Sequence, residues 1–278
     1  MLADYHVHTA FSDDSEAVME DVVQEAIYLQ IDEICFTDHV DYGVKMDHTL
    51  FRCKSAAQQR KFKKRLNTDY PNYFKEAYRL QQKYEGKIRI KIGLEFGIQQ
   101  HTTDLFQKLF DSYPLDFVIL SCHQVEDKEF WTNEFQQGMS AAEYNARYYQ
   151  EIYECICKYK DYSVLGHLDM IQRYHKTRFP FERSEEIIER ILAQVIKDKK
   201  GIEVNTSSFR YGLSDLMREQ KILRMYRDMG GTIITLGSDC HNKANLAAQI
   251  PYVKEKLKGL GFKYFCTFVK MAPVFRKL

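Results

Sequence analysis

Apolar positions along this 278-residue chain switch between two spacings, and the switch recurs. Seven runs rich in aliphatic and β-branched residues, 3–8, 33–40, 88–97, 116–123, 163–169, 201–206 and 232–239, read as strands. Seven longer stretches, 16–29, 72–84, 103–110, 140–158, 184–199, 214–229 and 244–257, carry apolar residues three and four apart, as amphipathic helices do, with Ser184 and Ser214 placed as N-caps. Strand followed by helix, seven times over, predicts parallel strands joined by right-handed crossovers, in an open doubly wound sheet or a closed barrel. Between the second and third strands, residues 41–71 are irregular and hold a basic run of Arg60, Lys61, Lys63, Lys64 and Arg65. That stretch is either a lid or a solvated helix face.

The histidines choose between sheet and barrel. Six of the nine lie in short clusters, several with carboxylates: His6-Val7-His8, Asp38-His39, His123, His167-Leu168-Asp169 and Asp239-Cys240-His241. Histidines and acids close six of the seven strand runs. In an open sheet, active groups gather at one switch point, whereas in a (β/α) barrel the C-terminal ends of all strands meet at one mouth. An α/β barrel with its site at the C-terminal ends of the strands is therefore expected. At 45% hydrophobic residues and this length, one core and one domain spanning 1–278 suffice.

His6 and His8, two apart on a strand, point to one face and suit a shared cation. Glu95, in Gly93-Leu94-Glu95-Phe96-Gly97, ends an apolar strand, a costly burial unless cations neutralise it. Asp239 follows the same logic, with His241 two places on. His48 and His101 read as surface residues, and His175 as a solvated loop residue or a substrate contact.

Composition narrows the partners. Lys plus Arg (40) nearly cancels Asp plus Glu (39), which argues against nucleic acid and anionic membrane and for a small soluble substrate. No apolar run approaches the roughly 18 residues of a membrane span, and the start Met-Leu-Ala-Asp-Tyr-His lacks a leader pattern, so a cytoplasmic location is expected. The seven cysteines form no CxxC pair and read as reduced thiols, with Cys122 and Cys240 packed in the core beside His123 and His241.

Taken in order, the motifs HxH, TDH, GLE, SCH, GHLD and SDCH resemble the PHP (polymerase and histidinol phosphatase) metallophosphoesterase family over the whole chain. Asp4-Tyr5-His6-Val7-His8-Thr9, Phe11-Ser12-Asp13-Asp14-Ser15 and Phe36-Thr37-Asp38-His39-Val40-Asp41 are similar to the stand-alone histidinol-phosphate phosphatases of histidine biosynthesis. The resemblance implies a distorted (β/α)7 barrel holding two to three divalent metal ions, zinc, iron or manganese. Carried over by position, it implies a first metal on His6, His8, Glu95 and Asp239, and a second sharing Glu95 with His123 and His167. A third would lie on Asp14, His39 and His241, with Asp14 standing where many relatives have histidine and Asp13 as the neighbouring alternative. It places Glu95, Asp239 and His241 among the catalytic groups.

The activity implied is hydrolysis of L-histidinol phosphate to L-histidinol and phosphate by a metal-bridged hydroxide. Arg173 and Arg210, each just past a strand end, offer the paired donors that clamp phosphate. Two other readings change less than the whole: a phosphoesterase for another small phosphomonoester or nucleotide, and a non-catalytic module of the same fold. The complete set of ligand positions argues for an enzyme.

Overall fold

The computed structural model describes residues 1–55, 59, 65–175, 179–211 and 219–278, so residues 60–64 of the basic run and Ser214 lie outside the described residues. The strands are β1 (Ala3–Val7), β2 (Glu33–Phe36), β3 (His39–Val40), β4 (Arg89–Gly97), β5 (Phe117–Ser121), β6 (Gln124–Val125), β7 (Lys128–Glu129), β8 (Val164–Leu165), β9 (Gly201–Asn205), β10 (Ile234–Gly237), β11 (Tyr264–Val269) and β12 (Ala272–Lys277). The described helices are α1 (Met19–Tyr28), α2 (His48–Arg52), α3 (Tyr70–Lys83), α4 (Thr103–Ser112), α5 (Ala141–Lys158), α6 (Glu185–Lys197), α7 (Glu219–Asp228) and α8 (Ile250–Gly259).

The main sheet runs β1-β2-β4-β5-β8-β9-β10, with every pairing parallel and in chain order, and β3 paired to β4. Its two ends meet. Val7 bridges Cys240 in parallel, and the His8 N–H donates to the Cys240 carbonyl at 2.9 Å. Ser238 reinforces this seam, its backbone N–H and its hydroxyl both donating to the Asp4 carboxylate, at 2.9 and 2.5 Å. The sheet thus nearly closes into the expected barrel, with helices outside and one apolar cluster running from Ala3 to Phe268 through the interior.

Every predicted strand is present though shorter than expected, and in three the physical reason is visible. The second breaks at Thr37-Asp38: Thr37 bonds across to Val7, and the Asp38 carboxylate takes the Thr9 N–H at 2.7 Å and the hydroxyls of Thr9 and Ser12 at 2.8 and 2.6 Å. Pairing then resumes as β3, which sets His39 beside Glu95. The fifth keeps only Val164–Leu165, because the chain turns at Gly166, where a Cβ would fall 2.4 Å from Ser121 Oγ. The seventh ends at Gly237, and Asp239 adopts the left-handed region at φ 54°.

The helices shift as well. The last predicted helix becomes a 3-10 turn, Lys243–Asn245, followed by α8, because Ala247 and Gln249 are both left-handed and the Ala247 N–H is drawn to Asp4 at 2.8 Å. α1 starts at Met19 rather than at residue 16, with Ser15 tied to the His241 carbonyl at 2.9 Å. Ser184 occupies the predicted N-cap position but makes no capping bond, whereas Ser140 and Glu143 form a reciprocal capping box on α5. The 41–71 stretch contains α2 and a bridge between Met46 and Leu66.

A hairpin, β11–β12, was not expected and covers the N-terminal end of the barrel. Tyr5 donates to Glu33 and accepts the Phe268 N–H at 2.7 Å, while its ring meets Phe117 edge-on at 5.0 Å and Phe117 meets Phe268 at 4.9 Å. The Met271 N–H reaches the Asp116 carbonyl at 2.8 Å. Among the described residues no helix is long and apolar enough to cross a membrane.

Candidate metal centre

At the opposite end, five imidazoles converge on one carboxylate. Glu95 Oε2 lies 3.2 Å from His6 Nε2, 3.5 Å from His8 Nε2 and 3.0 Å from His39 Nδ1. Its Oε1 lies 3.1 Å from His123 Nε2 and 2.9 Å from His167 Nε2, and accepts the Ser121 hydroxyl at 2.7 Å. Each histidine comes from a different strand end apart from the β1 pair, so barrel closure itself gathers them. Asp239 Oδ1 adds a second focus, 3.6–3.7 Å from His6, His8 and His241. Asp14 Oδ2 adds a third, 3.4 Å from His39 and 3.2 Å from His241.

Three-residue groups with donor atoms within 4.8 Å of one another are His6, His8 and Asp239; His6, Glu95 and His167; His39, Glu95 and His123; and His8, His39 and His241. These groups hold eight of the nine expected ligand positions, and Asp14 joins them through His39 and His241. His39 stands between the second and third expected sets, touching Glu95 as well as Asp14. The Asp13 alternative is separated from them by a salt bridge: Lys45 Nζ holds Asp13 Oδ1 at 2.6 Å and Asp41 Oδ2 at 3.0 Å, which leaves Asp14 facing the histidines.

The electrostatics are those of a site built around cations. Burial alone would raise the Glu95 carboxyl, but His6, His123 and His39 outweigh it and hold it well below its usual range. His6 goes the other way, with the carboxylates of Glu203, Glu95 and Asp239 overcoming burial to hold it well above. His123, against Glu95 and Asp41, is pushed up to about 9 despite its burial. His8 is the exception: burial and the neighbouring imidazoles of His241, His39 and His6 keep it neutral, the form that ligates metal. Among the described residues, His6 Nε2, His8 Nε2, His39 Nδ1 and Glu95 Oε2 are buried without a hydrogen-bond partner. Each such atom costs about 1–3 kcal/mol. Four of them around one point, all nitrogen and carboxylate oxygen donors, fit zinc, iron or manganese.

A cavity of about 510 Å³ opens over these groups, lined on its inner side by Asp14, His39, His123, His167, Asp239 and His241 and further out by Trp131 and Tyr174. Arg173 lines it too, with a nitrogen 2.7 Å from Ser207 Oγ and 3.7 Å from Asp239 Oδ2. Arg210 also reaches the cavity, but two of its nitrogens donate to the carbonyls of Ser238 and Asp239 at 2.8 and 2.6 Å, bracing the left-handed turn that aims Asp239. His175 is a part-buried loop residue that does not line the cavity: it bonds Tyr144 and Asn145 and stacks on Phe179. His48 and His101 lie away from the site, near Asp69 and Asp127. Cys122 and Cys240 are buried thiols, and none of the seven cysteines is disulfide-bonded.

Sequence reasoning missed the groups behind the ligands. Asp41 accepts from His123 Nδ1 at 2.8 Å, and Glu203 from His6 Nδ1 at 2.5 Å. Glu203 carried the same signal that singled out Glu95, an acid inside an apolar strand. For Lys45, in an irregular stretch, no such signal exists.

A barrel of this kind, with a histidine and carboxylate cluster at its C-terminal mouth, defines a metal-dependent hydrolase scaffold. The chain belongs to the PHP domain family, whose family model matches residues 4–207. It is similar to the histidinol-phosphatase of Lactococcus lactis subsp. lactis (strain IL1403), 33% identical over 276 residues that cover 96% of this chain and 94% of that one. It is also similar to the probable histidinol-phosphatase of Thermotoga maritima, 26% identical over 95% of this chain and 94% of that one. The crystal structure of the L. lactis histidinol phosphate phosphatase complexed with zinc, L-histidinol and phosphate matches with a TM-score of 0.84 at 31% identity, over 98% of both chains. The putative histidinol phosphatase of Listeria monocytogenes shares the fold, with a TM-score of 0.69 at 22% identity over 90% of this chain and 99% of that one.

Proposed function

We propose that this chain is a cytoplasmic, single-domain, metal-dependent phosphatase that hydrolyses L-histidinol phosphate to L-histidinol and phosphate in histidine biosynthesis. The observation that carries the reading is the convergence of five imidazoles on the buried Glu95 under an open cavity. The whole-chain similarity to the L. lactis histidinol-phosphatase supports the substrate.

His6, His8, Glu95 and Asp239 would hold one metal, Glu95 with His123 and His167 a second, and Asp14, His39 and His241 a third. Divalent ions bound there supply a water acidified to near neutral pH and neutralise the phosphoryl oxygens. The chain's own residues do the rest. Glu95 and Asp239 hold the charge balance of the centre, and His241, partly exposed at the cavity, faces the reacting group. Arg173 presents its guanidinium to a phosphoryl oxygen, anchored by Ser207 so that little rotamer freedom is lost on binding. Arg210 contributes mainly by fixing the Asp239 turn. Trp131 and Tyr174 give the organic half of the substrate aromatic walls.

The test is phosphate release from L-histidinol phosphate and from a panel of phosphomonoesters and a nucleotide, using protein of measured zinc, iron and manganese content. A preference of orders of magnitude in kcat/KM for L-histidinol phosphate is the expected result. Flat activity across the panel overturns the substrate, and full activity in protein stripped of metal overturns the chemistry.

A further inference from the structure

Behind the ligand cluster lies a carboxylate with a different set of neighbours. Glu203, on β9 and only 3% exposed, places Oε1 2.5 Å from His6 Nδ1, the ring nitrogen on the far side from Glu95 and Asp239. Its Oε2 accepts the His167 backbone N–H at 2.8 Å and Asn205 Nδ2–H at 3.1 Å. The same Asn205 nitrogen lies 3.3 Å from Asp239 Oδ2. Space for this arrangement is kept by Gly237, where a Cβ would fall 2.3 Å from Glu203 Oε1 and 2.5 Å from His6 Cβ.

Counting donors shows why the group is an acid. Three N–H groups point at Glu203, and both oxygens of its carboxylate accept. A glutamine of the same shape has one accepting oxygen and must turn its NH2 toward at least one of those donors. An imidazole that offers Nε2 to a cation carries its proton on Nδ1. A carboxylate acceptor on Nδ1 fixes that tautomer, locks the ring plane and strengthens Nε2 as a ligand.

We propose that Glu203 is the positioning residue of the metal centre: it holds His6 as the Nδ1–H tautomer aimed at Glu95 and Asp239, and it sets His167 through its backbone N–H and Asp239 through Asn205. The proposal rests on the metal-binding role given above to His6, and it names no contact with substrate.

The experiment compares wild type, E203Q, E203D and E33Q as full-length chains. E33Q is the control because Glu33 is equally buried but sits at the other end of the barrel, with Tyr5 and Arg89. Zinc affinity is measured by chelator competition, alongside kcat, KM and the melting midpoint of the chelated protein. E203Q is expected to bind zinc about 10–100-fold more weakly than wild type. Its kcat should fall more than its KM rises, E203D should recover part of the affinity, and E33Q should bind zinc as wild type does. Zinc binding by E203Q within twofold of wild type, or weakened equally in E33Q, overturns the proposal. A wild-type chain that takes up no zinc, iron or manganese overturns the function proposed above as well, which distinguishes the two failures. A second measurement needs no variant to fold at position 203: in zinc-loaded wild type with nitrogen-15 histidine, His6, identified by its loss in H6Q, should show a slowly exchanging Nδ1 proton. A rapidly exchanging one overturns the assignment.

Discussion

The two ends of the barrel bury the same kind of group and treat it in opposite ways. At the N-terminal end, Glu33 is 1% exposed and satisfied by protein alone: Oε1 accepts from Tyr5, and Oε2 accepts the Arg89 Nε–H at 2.8 Å. Rings of Tyr5, Phe117 and Phe268 and the hairpin β11–β12 seal that end. At the C-terminal end, Glu95 is fully buried, yet Oε2 has no hydrogen-bond partner among the described residues and faces three imidazoles. A buried carboxylate closed off by hydroxyl and guanidinium is a stability element. One left open toward a ring of nitrogen donors is unfinished without a cation. What marks a site is how the acid is satisfied; depth of burial is the same at both ends.

The sharpest way to break this contrast is to alter the two glutamates in parallel. E95A should lose bound metal and cut kcat/KM by more than the roughly 10²–10³ that one transition-state hydrogen bond supplies, while E33Q keeps turnover per folded molecule within about twofold. Elemental analysis beside phosphate release checks both, and comparable losses in the two variants would erase the distinction. Next in size, R173A should lower kcat/KM about 10–100-fold, the worth of a charged hydrogen bond, with metal content unchanged. Unaltered kinetics would remove Arg173 from phosphate binding.

Stability separates the ends by a different route. Urea unfolding of wild type should weaken on chelation by about 2.7 kcal/mol for each metal that was present at a hundred times its Kd. Y5F removes the hydroxyl that bonds Glu33 and Phe268 and should cost about 1–3 kcal/mol with or without chelator. An effect of Y5F that disappears on chelation would mean that the ends are coupled. Smallest of all, H48A should leave both kcat/KM and metal content within about twofold, since His48 touches Asp69 well away from the cavity.

Much of the candidate site was legible in the sequence because several of its residues obey a local rule, and the rest came with the family resemblance. His6 and His8 share a strand face, and Glu95 and Asp239 close apolar runs that had no other reason to end in an acid. What was illegible depends on contacts between distant segments. Nothing in Asp13-Asp14 says that Lys45, more than thirty residues on, will claim the first and leave the second to His39 and His241. The bonds of Arg210 to the carbonyls of Ser238 and Asp239 were illegible too, since only the folded turn brings those groups near. The C-terminal hairpin escaped notice for a simpler reason. Its turn puts Lys270 and Met271 at positive φ, 48° and 67°, where the expected signature is Asn-Gly or Asp-Gly. The fifth strand ends earlier than expected because the His167 N–H is pulled to Glu203, a contact that nothing in Gly166-His167-Leu168-Asp169 announces.

The seam between β1 and β10 has a consequence for how the protein is made. It joins Ser238 to Asp4 across 234 positions, whereas each earlier strand pairs with one already in place. Contacts of such long range form late and slowly. A chain emerging from the ribosome carries His6, His8, His39, Glu95, His123 and His167 well before Asp239 and His241 exist. The candidate site is therefore complete only after the last barrel strand has been made, and a product terminated before it lacks Asp239 and His241.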